Sequence, residues 1–461
     1  MPVSDALLDS PINWHDTDLW PFLDELQGNI LKGHGRDHTL NYFLSFDETQ
    51  LDRVKAQIRA VGTQTTSALR QLNEAEAFRN FNRAGGTNVF FFLTARGYQK
   101  LGMTPPPGAA FGAAMSTRAL NDPSPAAWEP HLKPGIDALL IIADDSVAKV
   151  GNAAAALTSS FPANGVGIRG IDAGHALRSA PSVNEPKGRG IEHFGYVDGR
   201  SQPLMLAADV QVEATRNGGI DRWDPRFGPG QAALVRDPHG TTADSYGSFL
   251  VYRKLEQNVK SFKERESSLA DALQLQGDDR ERAGAMVVGR FEDGTPLILE
   301  KEARDFNPTP NNFNYSGDPT GLRCPFHAHV RKINPRANSQ EQRSHLMPRR
   351  GIPFGDPNRD FEDEDNLPEG GVGLLFMAYN REIESQFEVA QRLWANDATF
   401  PDGLAQGADP IIGQGPQPDP VWRPGYGQAG GELPLAFGHF VTMKGGEYFF
   451  APSRGFLKTL N

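Results

Sequence analysis

The sequence predicts an α+β chain built as two ferredoxin-like halves, and three observations carry that expectation. A strand–helix–strand alternation runs through the first part of the chain and starts afresh near residue 246 without repeating the sequence. Each cycle ends on strands placed to return antiparallel. The length, 461 residues, exceeds what one core of ordinary size holds, so two domains of roughly 200 residues are expected, divided as 1–235 and 236–461. The 49 Gly and 35 Pro place long structured loops between short elements, and such loops carry chemistry.

The elements follow in order. His38 to Phe46 (HTLNYFLSF) reads as a strand. Leu51 to Leu72, with Leu51, Val54, Ile58, Val61, Leu69 and Leu72 at helical spacing, reads as one loosely amphipathic helix. Thr87 to Thr94 (TNVFFFLT) is a buried-looking strand, Ala95 to Gly102 a short helix, and Asp137 to Ala143 (DALLIIA) a strand leading into a helix over Ser146 to Leu157. The second cycle has a strand at Tyr246 to Leu255 (YGSFLVYRKL) and a helix over Gln257 to Leu275. It closes with a strand at Gly371 to Tyr379 (GVGLLFMAY) and a helix at Ile383 to Trp394. Between the cycles, Asn164 to His239 is rich in Gly, Pro and Arg and reads as a site loop.

Composition narrows the function. A formal charge of -11 repels polyanions, so nucleic acid is not an expected partner. The single cysteine, Cys324, excludes an internal disulfide and any cysteine cage for zinc or iron–sulfur, while eleven histidines remain as metal ligands. Met1 to Trp20 carries Asp5, Asp9, His15, Asp16 and Asp18 and lacks the basic start and apolar run of an export signal. A cytoplasmic location is therefore expected, with release by another route compatible with it. Apolar runs such as Asn88 to Thr94 are far shorter than a bilayer requires, so no membrane association is expected.

Three clusters bear chemistry. Phe194 to Pro203 (FGYVDGRSQP) sets Asp198 between Gly195 and Gly199; Asp-Gly is by itself a turn, but an acid held there beside a cavity can also shuttle a proton. Arg323 to Arg336 (RCPFHAHVRKINPR) looks like one short helix between Pro325 and Pro335. On such a helix His327 and His329 point about 200° apart, so only one can face a common ligand; both could equally be surface or cap histidines. His345 to Gly355 (HLMPRRGIPFG) joins two arginines to a tight turn, which suits either a surface ion pair or a fixed cation facing an anion. Gly165 to Gly170 (GVGIRG) has the dinucleotide spacing but does not follow a strand. P-loop, G-x-S-x-G and H-E-x-x-H signatures are absent.

Taken together, these clusters resemble the dye-decolourising peroxidase family. The G-x-x-D-G motif is matched by Gly195 to Gly199, and the His-x-Arg-Lys segment by His329 to Lys332. Arg349 to Pro353 matches the Arg-x-Gly-Ile-Pro turn and Gly445 to Phe450 the Gly-Gly-Glu-Tyr-Phe-Phe ending. Gln27 to Gly33 (QGNILKG), Gly289 to Leu297 (GRFEDGTPL) and Asp409 to Gln414 (DPIIGQ) extend the likeness over most of the chain, closest to the longer members.

The resemblance implies two ferredoxin-like domains of the dimeric α+β barrel type, with haem b (iron protoporphyrin IX) held mainly by the C-terminal one. It implies a hydrogen-peroxide-dependent oxidation of dyes, phenols or other small aromatic reductants. His329 is implied as the iron ligand, Asp409 as the carboxylate on its other nitrogen, Asp198 as the distal acid–base and Arg349 as the charged partner that stabilises O–O cleavage. Leu374 and Phe376, alternating on one strand face, match distal positions, with plain core packing as the other reading. Arg331 is implied as a partner for a haem propionate, or else faces solvent, and Trp394 as a surface electron relay. The longer fungal pattern has tyrosine where this chain has Phe354, which puts surface oxidation of bulky dyes in doubt. The rival reading is a haem-binding or iron-release protein on the same scaffold, which needs neither Asp198 nor Arg349. A cofactor-free interaction protein is a third.

Overall fold

The computed structural model describes residues 3–216, 219–337, 339–357, 359–361, 363–416 and 418–461; Met1 and Pro2 of the acidic N-terminal segment lie outside them. Both halves follow the same chain path. The first comprises β1 (His38–Phe46), α1 (Leu51–Gln64), α2 (Ala68–Phe81), β2 (Asn88–Leu93), β3 (Ala138–Asp144), α3 (Val147–Thr158) and β4 (Val166–His175). Its strands pair antiparallel in the order β4-β1-β3-β2. The second comprises β5 (Tyr246–Gln257), α4 (Val259–Ala272), α5 (His329–Ile333), β6 (Ile352–Phe354), β7 (Gly373–Asn380), a helical stretch Glu384–Glu388 and Ala390–Ala395, β8 (Val441–Ala451) and α6 (Arg454–Thr459). Its order is β8-β5-β7-β6, again antiparallel. Fourth, first, third, second is the strand order of a ferredoxin-like unit in both halves.

The two sheets join edge to edge where Phe450 of β8 pairs with Leu93 of β2. At the other ends of the path, β4 and β6 pack against each other, and Gly174 makes that approach possible: a Cβ there would stand 2.5 Å from Cγ2 of Ile352. Strands β2 (NVFFFL) and β3 (ALLIIAD) are buried along their whole length, which is why they read as unbroken apolar runs rather than alternations. Among the described residues no helix is long and apolar enough to cross a membrane.

Three expectations need correction. The helix expected over Leu51 to Leu72 is two helices. The backbone between them is claimed by other elements: Thr66 O accepts Gly28 N–H at 2.8 Å, Thr66 N–H donates to Val89 O at 2.9 Å, and the Ser67 hydroxyl caps α2. The segment between Pro325 and Pro335 is helical only over His329–Ile333, with Pro325 to Ala328 closing a turn in front of it. The helix at Ile383 to Trp394 is present but wound as π-helix on both sides of Val389, a form common at functional sites. GVGIRG lies at the start of β4, with Gly165 in the left-handed turn before it, so it serves the sheet.

Candidate active site

Strands, helices and loops of the second half and the Asp198 turn line a cavity of about 280 Å³. His329, Asp198, Arg349, Leu374 and Phe376 all line it; Arg331, Trp394 and Asp409 do not. Apolar side chains form most of the wall, among them Leu255, Val288, Val330, Phe387, Ile411 and Ile412.

His329 opens α5 and is partly exposed to this space. Its Nδ1 lies 2.8 Å from Oδ2 of Asp409, whose side chain is fully buried. The other oxygen of Asp409 accepts the N–H groups of Ile411 at 2.8 Å and Ile412 at 3.0 Å. Those bonds close the DPIIGQ turn, which Asp409 N–H ties to Ala395 O of the π-helical stretch at 2.9 Å. Burial by itself lowers the pKa of the imidazole, but the charge and hydrogen bond of Asp409 outweigh it, and the net displacement is upward. Among the described residues Nε2 has no hydrogen-bond partner, so it is the nitrogen left for a ligand.

Asp198 sits in a turn set by Gly195 and Gly199, both at positive φ. Its N–H donates to Gly190 O at 3.1 Å, and Oδ1 accepts only the N–H of Gly199, at 2.6 Å, among the described residues. Asp198 is exposed and belongs to the cavity wall. GRFEDGTPL supports this turn from below: Arg290 donates to Gly294 O and Pro310 O and reaches the Ser201 hydroxyl at 3.4 Å.

Arg349 Nη2 donates to Arg200 O at 2.9 Å and reaches Ser201 O at 3.5 Å, while its Nε and Nη1 have no partner among the described residues. Its neighbour Arg350 points the other way and is clamped by QGNILKG through Asn29 O at 2.8 Å and Ile30 O at 2.9 Å. That clamp fixes the backbone from which Arg349 projects. Burial lowers the pKa of Arg349 and the charge of Asp198 opposes the shift; Asp198 and Arg349 also act on His329, so the three groups share one field. Leu374 and Phe376 reach the cavity from β7, while Leu375 and Met377 between and beyond them are buried.

Two candidates lie elsewhere. Arg331 is not beside the cavity: its guanidinium donates to Asp318 Oδ2 at 2.7 Å and Asp318 O at 2.8 Å, between the rings of Tyr315 and Phe326. Two residues along a helix is over half a turn, so a histidine facing the cavity sends Arg331 away from it. Trp394 is 4 % exposed, stacked on Phe400 at 5.2 Å, and presents no ring to solvent as a surface relay requires. His327 is buried against Trp422, and burial drives its pKa down to about 3. Phe354 is buried with the Lys254 ammonium 4.8 Å from its ring centroid.

Sequence reasoning missed three residues of the wall. Glu192 accepts the N–H groups of Phe194 and Tyr196, and burial, opposed by those bonds and assisted by Asp198, raises its pKa to about 7. Tyr196 donates to Glu266 Oε1 at 2.6 Å. His345 packs edge-on against Trp394 at 5.4 Å. Tyr196 and His345 stood inside quoted motifs, but no spacing rule marked them.

Residues 229–411 match the family model described as Dyp-type peroxidase, C-terminal. The multifunctional dye peroxidase DyP2 of Amycolatopsis sp. (strain ATCC 39116 / 75iv2) is 42 % identical over the full length of both chains. A dye-decolorizing peroxidase of Exidia glandulosa is 29 % identical over 93 % of this chain and 85 % of its own. The solved structure of the Amycolatopsis protein superposes with a TM-score of 0.92, covering 98 % of this chain and 99 % of that one at 41 % identity. A DyP-type peroxidase of Anabaena sp. gives 0.92 over the whole of both chains at 38 % identity. Shared identity and fold from one end to the other place this chain in the DyP-type peroxidase family of haem-dependent oxidoreductases.

Proposed function

We propose that the chain binds haem b in this cavity and uses hydrogen peroxide to oxidise dyes, phenols and other small aromatic reductants. In this reading residues 236–461 hold most of the haem and residues 1–235 supply the Asp198 turn. The observation that carries it is one shared cavity holding an imidazole with a free Nε2, a carboxylate open on one side and a guanidinium with two free donors. The donor set suits a flat apolar macrocycle with a metal at its centre: a neutral nitrogen ligand set among Val288, Val330, Ile411 and Ile412. A haem bound here would supply a redox-active iron able to react with hydrogen peroxide and to hold the oxidising equivalents for the reductant.

His329 would hold the iron through Nε2. Asp409 holds the proton on Nδ1, fixes the tautomer and makes Nε2 more basic. Asp198 removes the proton from one peroxide oxygen and returns it to the departing oxygen, which leaves as water. Arg349 keeps its charge at working pH and meets the negative charge that grows as the bond breaks, competing for no proton. Leu374 and Phe376 keep bulk water out of the space where that proton moves.

The test is the double variant Asp198→Ala with Arg349→Leu. It keeps the Soret band and loses peroxide-dependent oxidation of a simple dye. A double variant that turns over like the wild type overturns the assignment of the pair; a wild type that binds haem but never turns over belongs to haem binding or iron release instead.

A further inference from the structure

Phe387 and Glu388 are consecutive residues of the π-helical stretch, and they face different groups. Phe387 lines the cavity, with its ring centroid 6.2 Å from that of Phe376. The same ring lies 6.2 Å from Tyr448 of β8, edge-on at 72°. Glu388 meets the far end of that tyrosine: the phenol donates to Oε1 at 3.0 Å. Arg118 grips the carboxylate with Nε on Oε1 at 2.6 Å and Nη2 on Oε2 at 2.7 Å. Tyr448 is 1 % exposed and Glu388 is 3 % exposed, so neither exchanges protons directly with bulk water.

A phenol one aromatic ring from an oxidising cavity, with a carboxylate on its hydroxyl, is set up to lose an electron and a proton together. We propose that Tyr448 is a redox-active tyrosine that takes an oxidising equivalent from the cavity past Phe387 and gives its proton to Glu388. This rests on the peroxidase reading above. The oxidant is the cofactor after it has reduced hydrogen peroxide. Tyr448 yields one electron to it, the O–H bond breaks and the proton moves to Glu388 Oε1. The products are a neutral phenoxyl radical, a protonated Glu388 and an oxidant reduced by one electron. An aromatic reductant later returns the electron and Glu388 the proton.

The surroundings favour this tyrosine over three other buried ones. The hydroxyls of buried Tyr98 and Tyr315 have no hydrogen-bond partner among the described residues, so an oxidised ring there would keep its proton. Tyr196 has Glu266 on its hydroxyl, but the Lys263 ammonium stands 5.2 Å from the Tyr196 ring centroid, which opposes positive charge on that ring. Burial and then the charge of Glu388 hold the Tyr448 phenol well above its ordinary pKa, so it does not ionise beforehand.

Haem-reconstituted protein is mixed with one equivalent of hydrogen peroxide, frozen, and read by electron paramagnetic resonance, with the Soret change followed in parallel. The wild type gives a tyrosyl signal. In Tyr448→Phe that signal is lost while the Soret band responds to peroxide at the wild-type rate, and in Glu388→Gln it is weakened. A signal that survives Tyr448→Phe, or is lost only in Tyr196→Phe, overturns the proposal. If Tyr448→Phe fails to take up haem, Glu388→Gln decides, and an undiminished signal there overturns it. A wild-type Soret band that ignores peroxide overturns the peroxidase reading and this proposal with it.

Discussion

His329 Nδ1 and Asp409 Oδ2 stand 2.8 Å apart although 80 residues separate them in the chain, and that contact joins α5 to the turn that follows the π-helical stretch. The carboxylate is buried, holds two backbone N–H groups on its other oxygen, and has little freedom to turn away. Asp409→Asn keeps the shape and removes the charge. Peroxide turnover in this variant falls by about 10- to 100-fold, the usual cost of losing a partner behind a metal ligand. Redox titration shows the iron potential moving upward, because a less basic imidazole stabilises the oxidised metal less. An unchanged potential contradicts the role given to Asp409.

Arg349→Leu lowers kcat/KM for hydrogen peroxide by about 10²- to 10³-fold, the range for losing one donor aimed at developing charge. The loss is the same across the working pH range, since a guanidinium does not titrate there. Asp198→Asn costs about 10²- to 10⁴-fold and alters the shape of the pH profile, because it removes a proton carrier. Parallel kcat/KM profiles for the two variants would contradict this division of labour.

The buried pair of Arg331 with Asp318 predicts an effect on stability rather than on haem affinity. Arg331→Met leaves the Asp318 carboxylate buried without its guanidinium, and urea unfolding of the apoprotein registers a loss of about 3–5 kcal/mol. Haem affinity of the remaining folded protein stays at the wild-type value. A selective loss of haem affinity with unchanged unfolding would restore the propionate role.

Glu447 is 6 % exposed and its Oε1 accepts the N–H groups of Met115 and Tyr448. Burial raises its pKa from 4.5 to about 7, with those two bonds opposing. A carboxyl whose folded pKa lies above its unfolded one favours the native state fully below pH 4.5. That contribution is lost as pH rises through about 7. The difference in unfolding free energy between wild type and Glu447→Gln therefore moves in favour of the variant by about 3 kcal/mol from acid to neutral pH, read from urea curves. A difference that is constant with pH contradicts the shift.

Most of the fold was legible because long apolar periods set it: nine strand or helix positions, from His38 to Trp394, lie within a few residues of where periodicity put them. The break at Thr65–Ser67 was not legible, since the partners that take its backbone bonds, Gly28 and Val89, lie far off in sequence. His329, Asp198, Arg349 and Asp409 were all named through the family resemblance, and the structure brings the first three to one cavity with Asp409 behind His329. The motifs said nothing of direction: whether Arg331 faces the cavity depends on where α5 begins, and whether Trp394 reaches solvent depends on Phe400 packing over it. Glu192 and Tyr448 owe their settings to burial and to tertiary neighbours that no local pattern encodes.

The most direct test of the account is the absorbance spectrum of haem-reconstituted His329→Ala beside the wild type, before and after one equivalent of hydrogen peroxide. The wild type binds haem with a Soret band that shifts on peroxide addition. The variant loses that spectrum and its turnover, and added imidazole restores both in part. A His329→Ala protein with an unchanged spectrum and full turnover would contradict the account.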